Sequence, residues 1–370
     1  MSKNENRDII REELDKLLSS HVPDIRNKDI YIWGTGNTAE LYREGLERLY
    51  EEGLEIRGYC DNNPDKWGKT FHNKEVISPK ELKNKENGCA LICSPQKNVV
   101  SAVGRQLDDS GIEWYHIDEM IFKTHKEEIL TCYDLFDDEE SKRTYLEVIA
   151  CRMAGEYPSV EFLNEKQYFA VPAFMGKNPK EVFVDCGAFV GDSVEKFIWE
   201  RDGGFRKIIA FEPDPGNFEA MEYRVSRLKK EWNLQDERIE LYPYGVGEES
   251  LTGKLERNDV NNGLGSKVTE ETADANAGDG EICRIVALDD FVKEPVTFLK
   301  ADIESYEYKM LLGAQETIRK HKPLVAVCIY HNGVDMYSVP LLLKEIMPEY
   351  KMAVRHHSVE MDDTVLYAWI

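Results

Sequence analysis

Val182-Phe-Val-Asp-Cys-Gly-Ala-Phe-Val-Gly-Asp-Ser193 reads as an apolar strand that ends on an acid and opens into a glycine turn. Ile208-Ile-Ala-Phe-Glu-Pro-Asp214 follows as a second apolar strand ending on a carboxylate. A glycine loop after one strand and an acid after the next describe a pocket for an adenosine group. In such pockets glycines let the backbone approach the ligand, and the carboxylate accepts the ribose hydroxyls. Gly191 and Glu212 stand close to the roughly 20 residues apart that these sites use. The loop runs Asp185-x-Gly187-x-x-x-Gly191, with Phe189 where a pyrophosphate loop wants its second glycine. Bulk there argues against a diphosphate, and Asp185 suits a ligand carrying an ammonium and a sulfonium. The reading is therefore S-adenosylmethionine, held by Asp185, Gly187, Ala188, Gly191, Asp192, Ser193, Glu212 and Pro213.

The region from about Asn178 to Ile370 resembles the FkbM family of S-adenosylmethionine-dependent methyltransferases. The resemblance is carried by Val184–Ser193, Ala210-Phe-Glu-Pro-Asp-Pro-Gly-Asn-Phe-Glu219, Ala287-Leu-Asp-Asp-Phe291 and Leu299-Lys-Ala-Asp-Ile-Glu-Ser-Tyr-Glu307 with Leu311-Leu-Gly-Ala314. Lys322-Pro-Leu-Val-Ala-Val-Cys-Ile-Tyr-His331 and Thr364-Val-Leu-Tyr367 also fit. One position departs: the family usually has glycine where this chain has Ser305. The resemblance implies a class I methyltransferase fold for 178–370.

Upstream, Asp29-Ile-Tyr-Ile-Trp33 reads as a strand, Gly34-Thr-Gly36-Asn-Thr-Ala39 as a turn opening a helix to about Glu52, and Glu55–Cys60 as the next strand, closing on Asp61. Strands alternating with helices make an α/β unit over 28–120. It resembles the nucleotide-sugar-binding Rossmann-like modules of sugar acetyltransferases and epimerases, with Gly34, Gly36 and Asp61 as candidate ligand residues. Tight strand–helix packing alone can demand the same glycines. The fold expected is thus α/β, two Rossmann-like doubly wound sheets. An N-terminal amphipathic helix falls within 1–27 and a helical, then irregular, connection within 121–177. Tyr168, Phe169 and Phe174 in that connection either cap a substrate pocket or pack as a seam. Segments 254–258 and 282–286 are expected to extend the second sheet. Asp259–Gly280, rich in Asn, Gly, Ala and Asp without an apolar period, reads as a mobile loop and a candidate lid.

Transfer of a methyl group to a hydroxyl needs a base or a nearby cation to take the hydroxyl proton. Candidates cluster at the carboxyl ends of the strands, where α/β sheets bind ligands. Asp302 is the first choice, as base or cation ligand, and His331 the second. Glu304 and Glu307 hold a ligand or cap the following helix. A divalent cation is compatible with Asp302 and Glu304, but no spacing requires one.

The formal net charge of −23 argues against nucleic acid as a partner, because phosphate binding rests on clustered Lys and Arg. Eight cysteines without a Cys-x-x-Cys pair read as core residues in a reducing compartment. No apolar run approaches the roughly 20 residues of a membrane span. The expectation is a cytoplasmic O-methyltransferase of a sugar or glycan precursor, compatible with homo-oligomers. Two alternatives stay open: an NAD-dependent nucleotide-sugar-modifying enzyme, and a non-catalytic binding or assembly protein. Against the first, the chain has no Tyr-x-x-x-Lys pair.

Overall fold

The computed structural model describes residues 3–20, 25, 27–36, 42, 55–256, 267–270 and 281–370. The chain forms two compact units and passes between them several times. One takes in Met1–Asn164, Tyr330–Ser338 and Val354–Thr364; the other takes in Glu165–Ile329, Val339–Ala353 and Val365–Ile370.

In the first unit, helix α1 (Lys3–Leu18) buries Ile10, Leu14 and Leu18, a stripe at four-residue spacing. Strand β1 (Asp29–Trp33) lies between β2 (Ile56–Cys60) and β5 (Gly88–Ile92), parallel to both. The pair β3 (Thr70–Phe71) and β4 (Lys74–Ile77) adds to the β2 side and β6 (Glu113–His116) to the β5 side, giving the order β3-β4-β2-β1-β5-β6. All contacts but the β3–β4 hairpin are parallel, as helical crossovers require. One crossover is α2 (Pro79–Lys83), started by a Ser78/Glu81 capping box; the other is α3 (Lys97–Ser110), ended by Gly111 at φ 66°. The helix read from Gly36 to Glu52 lies outside the described residues. Three helices complete this unit: α4 (Ile117–Thr124), α5 (Lys126–Leu135) and α6 (Glu139–Ala154). Asp138 caps the last at its start and Gly155, at φ 63°, ends it.

Most of a seven-stranded sheet falls in the second unit: β7 (Val182–Cys186), β8 (Lys207–Phe211), β9 (Ile239–Tyr242), β14 (Phe298–Ala301), β15 (Leu324–Cys328), β16 (Lys351–His356) and β17 (Thr364–Trp369). Their order is β16-β17-β15-β14-β7-β8-β9. Every residue of β7 is buried, which is why its sequence reads as an unbroken apolar run rather than an alternation. Strands β15, β14, β7, β8 and β9 are mutually parallel and β17 runs against β15. The direction of winding reverses between β7 and β14. α7 (Asp192–Glu200) and α8 (Pro215–Glu231) follow β7 and β8.

Two expectations need correction. The segments 254–258 and 282–286 do not extend this sheet: β10 (Tyr244–Val246), β11 (Leu251–Glu256), β12 (Lys267–Glu270) and β13 (Glu281–Val286) form a separate four-stranded sheet, in the order β10-β13-β11-β12. Leu255, Cys283 and Ile285 give that sheet a small core of its own. Within the stretch read as a loop, Lys267–Glu270 is a strand paired antiparallel with β11, and the rest of 257–280 lies outside the described residues. After the four-residue helix α9 (Leu288–Phe291), the helix expected over 307–320 is two, α10 (Glu307–Leu312) and α11 (Gln315–His321). The break falls at Gly313, where a Cβ would stand 2.1 Å from the carbonyl oxygen of Gly247, so only glycine allows the approach. The last helix, α12 (Asp335–Ile346), precedes β16.

Candidate functional site

The carboxyl ends of β7, β8 and β14 meet where the winding reverses, the place at which doubly wound sheets open a crevice for a ligand. Asp185 ends β7, Glu212 follows β8, and Asp302 follows β14. All belong to the second unit, together with Gly187, Ala188, Gly191, Asp192, Ser193, Pro213, Glu304 and Glu307. His331 is buried within the first unit, in the segment Tyr330–Ser338.

The loop after β7 is held from inside. Gly187 N and Ala188 N both donate to Phe211 O (3.0 and 2.9 Å), Gly191 N donates to Ala188 O (2.7 Å), and Phe189 N donates to Glu212 Oε2 (2.9 Å). Four amides of this loop are thus engaged within the protein. Gly187 has its own reason to be glycine. At φ 75°, a Cβ there would lie 1.9 Å from the Asp302 carbonyl oxygen, so the loop packs against the β14 end. Gly191, at φ 81°, opens α7, where Asp192 lies half-exposed in the first turn.

Asp185 is fully buried. Ser193 Oγ donates to its Oδ2 (2.5 Å), and Lys300 Nζ stands 3.0 Å from Oδ1. Lys300, itself 2 % exposed, donates further to Gly187 O (2.5 Å). Burial pulls its ammonium down, but Asp185 and Asp302 outweigh that and hold it above its ordinary value. A buried lysine was not singled out in the sequence, although its place in Leu299-Lys-Ala-Asp302, mid-strand in an apolar run, was the available signal.

Glu212 is 6 % exposed, and its Oε1 accepts from Asp214 N (2.9 Å). Burial pushes its carboxyl up to about 7, against the lowering pull of the Asp214 and Phe189 amides and the Asn217 side chain. Asp214 in turn caps α8 through Gly216 N and Asn217 N, with Pro215 in the first turn. That fixes Pro213 between the two acids.

Tyr168 OH donates to Asp302 Oδ2 (3.0 Å), its backbone N donates to Tyr367 OH (2.9 Å), and its ring centroid lies 5.4 Å from Lys300 Nζ. The two readings of the aromatic cluster thus divide. Phe169 and Phe174 pack edge-on against Phe298, whereas Tyr168 belongs to the site. Glu307 is buried, and its Oε1 accepts from Ile303 N (2.7 Å), tying the 303–307 turn to the start of α10.

Four non-glycine residues here have left-handed backbones: Tyr168 (φ 68°), Phe189 (48°), Glu304 (54°) and Ser305 (73°). Such conformations persist where surrounding contacts over-determine them, and they cluster at functional sites. Ser305 occupies a position whose geometry asks for glycine. Ser305→Gly is expected to raise stability by about 1 kcal/mol, read as a higher thermal midpoint. An unchanged or lower midpoint would show that the hydroxyl makes up the cost.

In the first unit, Asp61 repeats the Glu212 arrangement. Its Oδ2 accepts from Thr35 N (3.1 Å), Thr35 Oγ1 (2.7 Å) and Lys66 Nζ (2.9 Å), and its Oδ1 from Asn63 N (2.8 Å). Burial pushes its carboxyl up, but the Asn63, Thr35 and Lys66 hydrogen bonds outweigh that and hold it below the usual range. Gly34, at φ 94°, donates its N to Cys60 O (2.7 Å), and a Cβ at Gly36 would meet nothing within 4 Å among the described residues. The acid that would serve a ribose is therefore engaged with its own loop.

A doubly wound sheet with β17 running against β15, and acid-ended strands at the reversal, has the architecture of a methyltransferase fold. Residues 185–351 match the Methyltransferase FkbM domain, so this part of the chain is similar to FkbM methyltransferases. Residues 26–118 match a second model, C2185-like, N-terminal. Among solved structures, the FkbM methyltransferase from Methylobacillus flagellatus KT covers 98 % of this chain and 99 % of its own at 21 % identity, with a TM-score of 0.55. That shows a shared fold. An rRNA methylase from Streptococcus thermophilus covers 52 % of this chain and 87 % of its own at 15 % identity and a TM-score of 0.31. No curated protein matches the chain. Among the described residues, no helix is long and apolar enough to cross a membrane.

Proposed function

We propose that the chain is an S-adenosylmethionine-dependent O-methyltransferase whose acceptor is a hydroxyl of a sugar or glycan precursor. The observation that carries the reading is the meeting of Asp302, Glu212 and the loop 187–191 at the carboxyl ends of the strands where the winding reverses. S-adenosylmethionine fits the groups present: a glycine loop too tight for a diphosphate, and a buried acid beyond the second strand. The cofactor supplies an electrophilic methyl carbon on a sulfonium. When it is bound, Glu212 would accept from its ribose and the loop 187–191 would hold it. Asp302 takes the acceptor's proton as its oxygen attacks, while Tyr168 keeps the carboxylate in place. The sugar class rests on the first unit's likeness to sugar-nucleotide modules. Asp302 and Glu304 offer hard oxygen atoms, so a divalent cation beside the acceptor stays compatible with this chemistry.

Glu212 makes the cofactor half testable without the acceptor. A carboxylate accepts about four hydrogen bonds, and Phe189, Asp214 and Asn217 take three. A ribose hydroxyl that adds another favours the ionised form. With the carboxyl near 7 in the free protein, binding of S-adenosylhomocysteine should release a proton. Affinity should rise as pH increases through about 7 and level off above it. The sign for folding is opposite. Because burial raises the folded value above 4.5, the charged form costs stability, and that cost is relieved as pH falls below about 7. Calorimetry in two buffers of different ionisation heat would detect the released proton. Binding enthalpy independent of buffer, with affinity flat across neutral pH, would remove Glu212 from the cofactor site.

A further inference from the structure

Among the described residues, Lys300 is the cation that reaches both the buried acid of β7 and the glycine loop, and its placement is the least expected feature of the site. An ammonium at 2 % exposure is costly unless every proton finds a partner. Its partners are Asp185 Oδ1 at 3.0 Å, Gly187 O at 2.5 Å and Cys186 O at 3.4 Å, with the Tyr168 ring above it. Neutralising Asp185 would need only the first of these. The contact to Gly187 O does something further: it fixes the peptide at the point where the loop turns left-handed. Gly187 N is held by Phe211 O on one side of the sheet's centre, and Gly187 O by Lys300 on the other. Since Gly187 also stacks on the Asp302 carbonyl, one ammonium ties the cofactor loop to the strand that bears the acceptor-side acid.

We infer that Lys300 is a positioning residue for the cofactor: it sets the glycine loop through the Gly187 carbonyl, beyond balancing the charge of Asp185. The inference rests on the reading of the 187–191 loop as the S-adenosylmethionine site. A charge-balancing role and a positioning role separate when both charges are removed together. Asp185→Asn/Lys300→Met leaves a neutral pair of similar volume, which buried ion pairs commonly tolerate. Asp185→Asn/Lys300→Gln is a more polar version whose side chain is one bond too short to reach Gly187 O in the same way.

The measurements are thermal unfolding and calorimetric binding of S-adenosylhomocysteine to the full chain. In whichever neutral pair folds, binding is expected to weaken at least tenfold while the thermal midpoint stays near that of the parent. Parental affinity in a folded neutral-pair variant would overturn the inference and leave Lys300 as a counter-charge. Absence of binding to the parent chain itself would overturn the cofactor reading, and this inference with it. Failure of both variants to fold, with Lys300→Arg folded and binding at parental affinity, would likewise reduce Lys300 to a charge.

Discussion

Asp302→Asn is expected to lower methyl-transfer turnover by about 10²–10⁴-fold, the range for loss of a general base. Affinity for S-adenosylhomocysteine should change little, since the proposed cofactor residues follow β7 and β8. The substitution is nearly isosteric, and Tyr168 OH can still donate to the remaining carbonyl oxygen, so the turn at 302–307 should keep its shape. On the proposed role, what is lost is the acceptor's proton sink. Formation of S-adenosylhomocysteine, followed against time for parent and variant, reads the effect. Equal rates would show that Asp302 only orients the acceptor. A rate lost together with cofactor affinity would show that the turn, not the proton, had been disturbed.

Much of this site was legible because its signals are local. The strand ending in Asp185 and the strand ending before Glu212 announce themselves as apolar runs that stop on acids, and both strands formed within a residue of where the pattern placed them. What each acid does was less legible, because its partner comes from elsewhere in the chain. Asp185 reads as a ligand group, while Lys300, 115 positions on, stands beside it. Glu212 is engaged by the amide of Phe189 before any ribose arrives. Tyr168 reaches Asp302 across 134 positions, a contact that no periodicity encodes. The split of the 307–320 helix has the same origin: the cause is the Gly247 carbonyl, which no local propensity reveals. The separate sheet of β10–β13 was missed because strand patterns fix which residues alternate, not which sheet they join.

In the first unit, the largest stability effect should come from Arg152→Met. Arg152 is 1 % exposed on α6, and Nε donates to Asp118 Oδ2 (2.9 Å), Nη2 to Tyr42 OH (2.9 Å) and Nη1 to Tyr330 O (2.6 Å). Tyr42 OH closes the ring by donating to the same Asp118 oxygen (3.0 Å). Burial pulls the guanidinium down, yet Asp118 and Tyr42 hold it above its ordinary value. Methionine fills much of the volume but leaves Asp118 buried without its cation, a loss worth about 3–5 kcal/mol. At about 2–4 °C per kcal/mol for a unit of this size, the thermal midpoint should fall by several degrees or more. The cost lies in the stranded carboxylate rather than in lost attraction. Asp118→Leu/Arg152→Met should therefore recover most of it, because a buried pair replaced by apolar side chains is often neutral. Close packing limits how far that recovery can go: a Cβ on Gly333 would already stand 2.4 Å from Asp118 Oδ1, so a leucine branch must fit against that turn. The network also fixes the carbonyl of Tyr330, the neighbour of His331, and Asn332 Oδ1 takes Val334 N (2.8 Å) and Asp335 N (3.1 Å) on the other side. A restored midpoint with turnover still reduced would assign Arg152 to holding that turn. A single variant as stable as the parent would mean that the ion pair is not what holds α6 in place.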